Sequence, residues 1–373
     1  MLEPIAERRY ERLHLAEIAA LVEASPIAWI PIGTLEHHGP HLPFGVDAFE
    51  AHGLLRAAAH RAGGVVLPPT YIATGCLDLP YTLTFSHALV EAQVRETVAQ
   101  LAHRGFRAVV VLTGHGPLDL VHLLKRACAE SDVAAYGLCW LELNAARLTG
   151  PEEGEPRVVD HAALVETSWM LALEPELVAL DRLADDPGAL HTGIYGRNPR
   201  FTASADWGRA SVTAAAELLA ERATGLLAGA PPDPLADLRR FVAHSWPEPL
   251  ELSRGVDGLR LRNPGRASRY LSGLEIEVDG EPLDPAEVVL VNDAPGEAGV
   301  PVTAASLGPE SGFYIRREQT AAIRTPPLAT RAVVGAKIGL AGVTTVSAIA
   351  SEPALGSPRM RAFTPANDEG QVR

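Results

Sequence analysis

The chain contains few cysteines and few lysines, and these shortages exclude several kinds of chemistry. Its 373 residues include three cysteines, none of which forms a Cys-x-x-Cys pair. They are too few for a disulfide framework, so we expect a reducing compartment and interpret the thiols as small buried apolar groups. The lysines are Lys125 and Lys337, and neither completes the Gly-x-x-x-x-Gly-Lys sequence of a P-loop. A Gly-x-Ser-x-Gly sequence is also missing, which disfavours a serine hydrolase.

Long apolar runs and an excess of positive charge are missing as well. No apolar run reaches the roughly 18 residues that a bilayer-spanning helix needs, and residues 1–26 are too charged for a signal peptide. The 32 basic and 46 acidic residues give a formal charge of −14, which repels nucleic-acid phosphates and anionic lipids. We therefore expect a soluble cytoplasmic protein that binds a small-molecule substrate, with no nucleic acid and no membrane as partner.

The pattern of apolar residues divides the chain into two parts. Up to about residue 230, strand-like apolar runs alternate with helix-like segments, which predicts βαβ units and a mostly parallel α/β sheet. From about Val256, short β-like runs are separated by Gly and Pro, which predicts a smaller antiparallel β-rich domain. We place the two domains at residues 1–240 and 241–352, followed by a flexible tail at residues 353–373.

The segment after the first strand-like run is rich in residues that can bind a metal. Residues 33–47 read Gly-Thr-Leu-Glu-His-His-Gly-Pro-His-Leu-Pro-Phe-Gly-Val-Asp. Glu36 and His38 are two residues apart, so an extended segment points both side chains to one side. The Gly and Pro residues allow the loop to fold so that Asp47 returns to the same place. In an open α/β sheet, ligands bind beyond the carboxyl ends of the strands, where this loop is expected.

Two further segments carry side chains of the same kinds. His115 follows a continuous β-branched run, and parallel strands would bring it toward Glu36, His38 and Asp47, a ligand set that suits zinc, manganese or iron(II). A helix-like segment begins near Ala162, where Asp160 can act as cap and His161 would lie in the first turn. His161 is a candidate proton shuttle or a capping histidine. Glu166 is a candidate metal ligand or a hydrogen-bond acceptor for a ligand.

The remaining histidines and the tryptophans are interpreted mainly as structural. A ligand histidine usually needs an oriented partner, so His37 and His41 are assigned supporting roles. Trp140 follows a strand end and is the tryptophan best placed to contact a substrate. Histidines on helix-like segments are expected at the surface: His52, His87, His103 and His122.

Together these segments resemble the creatininase (creatinine amidohydrolase) family over about residues 25–230. The matching stretches are residues 31–43 with Asp47, residues 105–116 around Thr-Gly-His-Gly, residues 161–168, and residues 195–199 followed by Ser204 and Gly208. The resemblance implies a three-layer α/β/α fold, a homo-oligomer such as a hexamer, and a two-metal site with Glu36, His38, Asp47 and His115 as ligands. Creatininase itself has a glutamate where this chain has Pro117, so Glu166 is expected as the fifth ligand.

The resemblance also implies a reaction, the hydrolysis of a non-peptide C–N bond in a cyclic amide or formamide. Two divalent ions (Zn, Mn or Fe) would share Asp47 and a bridging hydroxide, and His161 would protonate the leaving nitrogen. Two alternatives stay open. One is a different metalloenzyme on the same site, such as a lactonase, phosphoesterase or isomerase, which release of an amine or ammonia would distinguish. The other is a non-catalytic binding protein that uses its C-terminal β domain.

Overall fold

The computed structural model of the chain contains two compact units, Met1–Ser245 and Trp246–Arg373. The structure describes residues 7–147, 161–232, 251–255, 258–262, 269–279, 281–292, 301–307, 313–315, 320–326, 334–340 and 344–350. Asp160, the predicted boundary between residues 240 and 241, and the predicted tail at residues 353–373 lie outside the described residues.

Strands and helices alternate in the first unit, as the sequence predicts. The strands are β1 (Ile27–Gly33), β2 (Val65–Val66), β3 (Thr70–Tyr71), β4 (Ala108–Thr113) and β5 (Ala134–Cys139). The helices are α1 (Leu15–Ala24), α2 (Val46–Ala62), α3 (His87–His103), α4 (Leu118–Ala129), α5 (Trp140–Arg147), α6 (Leu164–Leu173), α7 (Pro199–Thr202) and α8 (Ala205–Leu227). Short 3-10 turns occur at Tyr10–Arg12, Pro175–Leu177 and Leu180–Arg182.

The five strands form a parallel sheet with the order β2–β1–β4–β5, and β3 also pairs with β1. Every residue of β1 and β4 is buried, because helices cover both faces of the sheet. Ala28, Ile30 and Ile32 of β1 share a core with apolar residues of α3 and α4. Trp29 lies between Ala28 and Ile30 in β1, so its side chain points to the opposite face of the sheet. There it donates its Nε1–H to the carbonyl of Gly63, at the end of α2, at 2.9 Å. The three-layer α/β/α fold is confirmed.

Two glycines allow the carboxyl ends of β1 and β4 to lie close to the start of α2. A Cβ on Gly33 would lie 2.2 Å from the backbone nitrogen of Ala48, and a Cβ on Gly114 would lie 2.0 Å from the carbonyl oxygen of Asp47. Contacts this short exclude every side chain larger than hydrogen. The first turn of α2 therefore lies directly between the ends of the two central strands.

Helix α4 buries polar residues that the sequence does not mark as buried. His122 was expected at the surface but is 3% exposed, because α4 contacts both α3 and β5. Lys125, on the same helix, is 4% exposed. Its Nζ lies 2.7 Å from Oε1 of Glu142 and donates a 3.0 Å hydrogen bond to the carbonyl of Gly137. This buried ion pair connects α4 to the start of α5.

The second unit is built from antiparallel strands, as the sequence predicts. They are β6 (Glu251–Gly255), β7 (Gly258–Arg262), β8 (Arg269–Val278), β9 (Glu281–Pro282), β10 (Val289–Asn292), β11 (Val302–Thr303), β12 (Phe313–Ile315), β13 (Thr320–Arg324), β14 (Val334–Leu340) and β15 (Thr344–Ala350). One sheet has the order β11–β10–β13–β7–β6, and the other has the order β12–β8–β14–β15 with β9 beside β8.

Alternation along β7 shows how the second unit forms its core. Leu259 and Leu261 are buried, whereas Arg260 and Arg262 are exposed on the other face of the strand. Arg262 pairs with Glu251 on the neighbouring strand at 3.0 Å. Residues 338–340 lie in β14, and residues 344–350 form β15, which pairs with β14. In the described parts of both units, the structure contains no helix that is long and apolar enough to cross a membrane.

Candidate metal centre

The loop between β1 and α2 holds Glu36 and His38 in the protein interior, where both side chains are fully buried. The backbone N–H of Leu77 donates to Oε1 of Glu36 at 2.6 Å, and the backbone N–H of Glu36 donates to the carbonyl of Phe44 at 3.0 Å. Nδ1 of His38 donates to the carbonyl of Glu36 at 2.9 Å, because a carbonyl can only accept. The other ring nitrogen of His38, Nε2, therefore faces the other side chains of the site.

Asp47 and His115 meet these residues from two other elements. Asp47 lies in the first turn of α2, where unpaired backbone N–H groups favour a negative charge. Its Oδ1 is 3.2 Å from Nε2 of His38, and its Oδ2 is 3.3 Å from Nδ1 of His115. Nδ1 of His115 is also 3.1 Å from Oε2 of Glu36. The backbone N–H of His115 donates to Oγ1 of Thr113 at 2.9 Å, which holds the loop after β4 in place.

Glu166 and His161 complete the cluster, but not from the predicted positions on one helix. Ala162 has a φ of +54°, and α6 begins only at Leu164. The prediction that His161 lies in the first turn of this helix is therefore wrong. His161 forms a two-residue antiparallel bridge with Tyr195, through backbone hydrogen bonds of 3.0 and 2.9 Å. Oε2 of Glu166, in the first turn of α6, accepts a hydrogen bond from the backbone N–H of Ala162.

The five residues predicted as metal ligands lie together in the structure. Two sets of three side chains each place their potential ligand atoms within 4.8 Å of one another: Glu36, Asp47 and His115, and His38, Asp47 and Glu166. Asp47 belongs to both sets and directs one oxygen to the histidine of each. His161 forms a third such set with Glu36 and His38. Its Nδ1 is 4.0 Å from Oε2 of Glu166.

Several buried atoms of this cluster have no hydrogen-bond partner among the described residues. They are Oε2 of Glu36, Nε2 of His38, Oδ2 of Asp47 and Nε2 of His115. An unpaired buried polar atom costs about 1–3 kcal/mol, so native proteins keep few of them. Carboxylate oxygens and imidazole nitrogens are ligands that divalent transition metals accept. The residues therefore fit a divalent cation in each of the two sets.

The carboxylates of the cluster change the pKa values of its histidines. Burial alone would lower the pKa of His38, but the negative charges of Asp47, Glu166 and Glu36 outweigh burial and raise it to about 10. Burial also opposes protonation of His115, yet the carboxylate of Glu36 holds the pKa of His115 well above its usual range. Burial raises the pKa of Glu36, but the charge of His115 more than reverses this effect. Without a metal, protons on the imidazoles thus balance the clustered negative charge.

His161 behaves differently from the other two histidines. Burial and the nearby charge of His38 lower its pKa to about 4, so its imidazole is neutral at pH 7. Nε2 of His161 lies 3.0 Å from the carbonyl of His37, which can only accept a hydrogen bond. The proton of the neutral ring therefore resides on Nε2. Nδ1 has a free lone pair on the side of Glu166.

Of the residues interpreted as structural, His37, His41 and Trp140 lie around the cluster. Nε2 of the buried His41 is 2.9 Å from Oγ1 of Thr167. The half-buried ring of His37 stacks on Phe44. Trp140 is buried edge-to-face against Trp169 of α6, with ring centroids 5.7 Å apart. Trp140 therefore supports α6 and is not a substrate platform.

Cys76 is the residue of this region that sequence reasoning missed. Cys128 and Cys139 are buried, as expected of small apolar groups. Cys76 is only half-buried, and its Sγ lies 3.3 Å from Oγ1 of Thr34, in the loop after β1. The neighbouring Gly75 and the following turn give no sign of this contact, because it depends on how the segment after β3 folds back over the loop after β1.

Comparison with known proteins identifies several relatives of the chain. A creatinine amidohydrolase of Pseudomonas putida is 28% identical over 182 residues, which cover 44% of this chain and 70% of the relative. A 3-dehydro-scyllo-inosose hydrolase of Thermotoga maritima is 26% identical and covers 45% of this chain and 57% of the relative. A mycofactocin precursor peptide peptidase of Mycolicibacterium smegmatis is 28% identical and covers 42% of this chain and 62% of the relative. The chain thus spans less than two thirds of the length of two of these relatives.

Solved structures agree with the sequence comparisons. A crystal structure of creatinine amidohydrolase matches with a TM-score of 0.51 and 25% identity, covering 60% of this chain and 98% of that chain. A mutant creatininase of the Zn-Zn type matches with a TM-score of 0.51 and 24% identity, covering 61% of this chain and 100% of that chain. The sequence model of the creatininase family, creatinine amidohydrolase, matches residues 11–224, which is more than half of the chain. The chain therefore belongs to the creatininase family.

Proposed function

We propose that this protein is a metal-dependent hydrolase that cleaves a non-peptide C–N bond in a small molecule, such as a cyclic amide or a formamide. The observation that carries the proposal is the pair of buried side-chain sets that share Asp47. The two oxygens of this carboxylate lie near different imidazoles, at 3.2 Å and 3.3 Å, which is the arrangement of a carboxylate between two cations. Similarity to a creatinine amidohydrolase supports the choice of bond.

The site residues divide into two groups of ligands. Glu36, Asp47 and His115 would hold one divalent ion, and His38, Asp47 and Glu166 would hold the other. When bound, such ions lower the pKa of water and polarise a carbonyl group. Zinc and manganese are the first ions to test, because nitrogen and carboxylate ligands suit both and a related creatininase structure is of the Zn-Zn type.

His161 is proposed as the residue that moves the proton. Its Nε2–H is held by the carbonyl of His37, so the neutral ring presents the Nδ1 lone pair to the site. A ring in this state first accepts a proton from the attacking water and then donates it to the leaving nitrogen. The backbone bridge to Tyr195 keeps the imidazole in place during both transfers.

The site also constrains how the substrate approaches. The ligand side chains are buried, whereas Tyr195, beside the His161 ring at 5.9 Å between centroids, is 44% exposed. A substrate that reaches the cluster from this side contacts Tyr195 and His161 first. The names of the relatives give substrates of different sizes: creatinine, an inosose and a precursor peptide. A substrate screen for this protein should therefore include molecules of different sizes.

Metal content tests the first part of the proposal. We expect elemental mass spectrometry to find about two divalent ions per purified chain after incubation with zinc or manganese. A Glu36→Ala/Asp47→Ala variant should lose both, and a matched His103→Ala variant on the exposed end of α3 should keep both. Near-ultraviolet circular dichroism checks that the double variant is folded. A wild-type protein without stoichiometric metal would refute the proposal.

Product analysis tests the second part. The metal-loaded protein is incubated with cyclic amides, formamides, lactones and phosphate esters, and the released amine, ammonia, acid or phosphate is quantified. We expect amine or ammonia from an amide. Acid released only from lactones, or phosphate released only from esters, would instead establish another binuclear metal hydrolase.

A further inference from the structure

Three rings form a row that leads from the buried cluster of side chains to the surface. The ring centroid of His38 lies 4.3 Å from that of His161, and the centroid of His161 lies 5.9 Å from that of Tyr195. Exposure increases along this row. The side chain of His38 is fully buried, that of His161 is 16% exposed, and Tyr195 is 44% exposed. The row therefore gives the direction in which His161 faces solvent.

The backbone of Tyr195 is fixed although its ring is exposed. Its N–H and carbonyl both form hydrogen bonds with the backbone of His161, at 2.9 and 3.0 Å. Gly193 has a φ of +77°, and a Cβ on it would lie 2.8 Å from Nδ1 of His37. Ile194 packs against a small buried cluster: Leu42, Val46, Ala162 and Met170. The segment that carries Tyr195 thus lies against the loop that carries His38, and the ring is held at a defined place beside His161.

The position of His161 determines where the leaving nitrogen of a substrate lies. To receive a proton from His161, this nitrogen must come within about 2.6–3.2 Å of Nδ1. The acyl carbon of the substrate lies on the side of the two ligand sets that share Asp47. The ring of His38 occupies the buried side of His161, so a group attached to the nitrogen extends toward the exposed side, where Tyr195 lies.

We propose that Tyr195 is a specificity-determining residue whose ring forms a subsite for the group on the leaving nitrogen, and that it favours amides in which this group is aromatic. The inference rests on the proposed function. Aromatic rings attract one another in offset or edge-to-face arrangements with centroids about 4.5–7 Å apart. An aromatic group against the exposed face of Tyr195 gains such a contact, whereas a group on the acyl carbon lies on the other side of the reacting bond.

A pair of isomeric hydroxamates tests this subsite without depending on turnover. Hydroxamates bind divalent ions through their two oxygen atoms. In N-phenylformohydroxamic acid the phenyl group is on the nitrogen, and in its isomer benzohydroxamic acid it is on the acyl carbon. The affinity of each isomer is measured by isothermal titration of the zinc-loaded wild type, Tyr195→Ala, Tyr195→Phe and, as matched control, Tyr10→Ala. Tyr10 is 36% exposed and follows Arg9, which pairs with Val66 of β2.

The expected effect is confined to one isomer and to the loss of the ring. Tyr195→Ala should weaken the binding of N-phenylformohydroxamic acid about 10-fold and leave that of benzohydroxamic acid within about twofold of the wild type. Tyr195→Phe keeps the ring and should bind both isomers like the wild type, as should Tyr10→Ala. The backbone hydrogen bonds of residue 195 do not need its side chain, so Tyr195→Ala should retain the zinc content of the wild type.

The outcomes separate this inference from the proposed function. A wild-type protein that binds no zinc refutes the proposed function, and the subsite with it. A zinc-loaded wild type that does not bind the N-phenyl isomer, or a Tyr195→Ala variant that binds it as tightly as the wild type, refutes only the subsite. Equal weakening of both isomers in Tyr195→Ala would contradict a contact on the nitrogen side. A Tyr195→Phe variant as weak as Tyr195→Ala would assign the contact to the hydroxyl group and contradict the role of the ring.

Discussion

Replacing Lys125 by methionine should destabilise the first unit strongly. Its ammonium group is buried, lies 2.7 Å from Oε1 of Glu142 and donates to the carbonyl of Gly137. Methionine has a similar length but no charge, so the variant removes the Lys125 cation from beside the fully buried carboxylate of Glu142. Breaking a buried ion pair in this way costs about 3–5 kcal/mol.

The expected change in melting temperature follows from the size of the unit. At roughly 2.1 cal/mol/K per residue, the unit Met1–Ser245 unfolds with an entropy of about 0.5 kcal/mol/K. Each 1 kcal/mol therefore lowers the melting temperature by about 2 °C, and Lys125→Met should lower it by about 6–10 °C in scanning calorimetry of the full chain.

A second substitution identifies the cause. In Lys125→Met/Glu142→Gln the negative charge of Glu142 is removed as well, while the amide oxygen can still accept the backbone N–H of Cys139, which Oε2 of Glu142 accepts at 2.9 Å. We expect this variant to melt several degrees above Lys125→Met. A decrease below about 2 °C for Lys125→Met, or a double variant no more stable than the single one, would refute the buried ion pair as the source of stability.

Three other predictions concern the metal centre. Gly114→Ala should weaken zinc binding about 10- to 100-fold in a chelator competition, because its Cβ would lie 2.0 Å from the carbonyl oxygen of Asp47. The matched control is Gly188→Ala at an exposed position, where the nearest atom to the new Cβ, Oδ1 of Asp186, is 3.5 Å away. Equal zinc affinities of the two variants would contradict the close approach of Gly114 to Asp47. His161→Ala should lower kcat about 10²- to 10⁴-fold with unchanged metal content, and loss of a metal ion would instead make His161 a ligand. The pKa of His38 is raised to about 10, so its protonated form stabilises the metal-free protein fully below about pH 6.5, and this contribution is lost as the pH rises through 10. Since a metal must displace this proton, zinc affinity should increase with pH over the same range in isothermal titrations, and a flat profile would contradict the shift.

The sequence carries enough information to predict the fold and the main members of the candidate site. Glu36, His38 and His115 follow continuous apolar runs that read as parallel strands, and the carboxyl ends of parallel strands meet at one edge of the sheet. The return of Asp47 to this edge was also predicted, since Gly and Pro residues allow the loop to fold back. For these four residues, the local sequence pattern and the topology of a parallel sheet were sufficient to predict that they lie together.

The positions that could not be predicted depend on contacts between distant segments. The left-handed φ of Ala162 delays the start of α6 and leaves His161 on a bridge to Tyr195, a pairing that no local pattern encodes. His122 reads as a surface residue because its helix carries charged neighbours, yet α4 is covered on two sides. The contact between Cys76 and Thr34 depends on the segment after β3, which folds back over the loop after β1.

If Asp47 joins two metal ions, electron paramagnetic resonance of the manganese-loaded protein should detect the two ions as a coupled pair. Two Mn²⁺ ions that share a carboxylate lie about 3.5–4 Å apart, close enough for their spins to couple. We predict that the protein loaded with two equivalents of Mn²⁺ gives an exchange-coupled multiline spectrum, and that Asp47→Asn loses the coupling. A simple six-line spectrum of isolated Mn²⁺ at every loading of the wild-type protein would contradict the account.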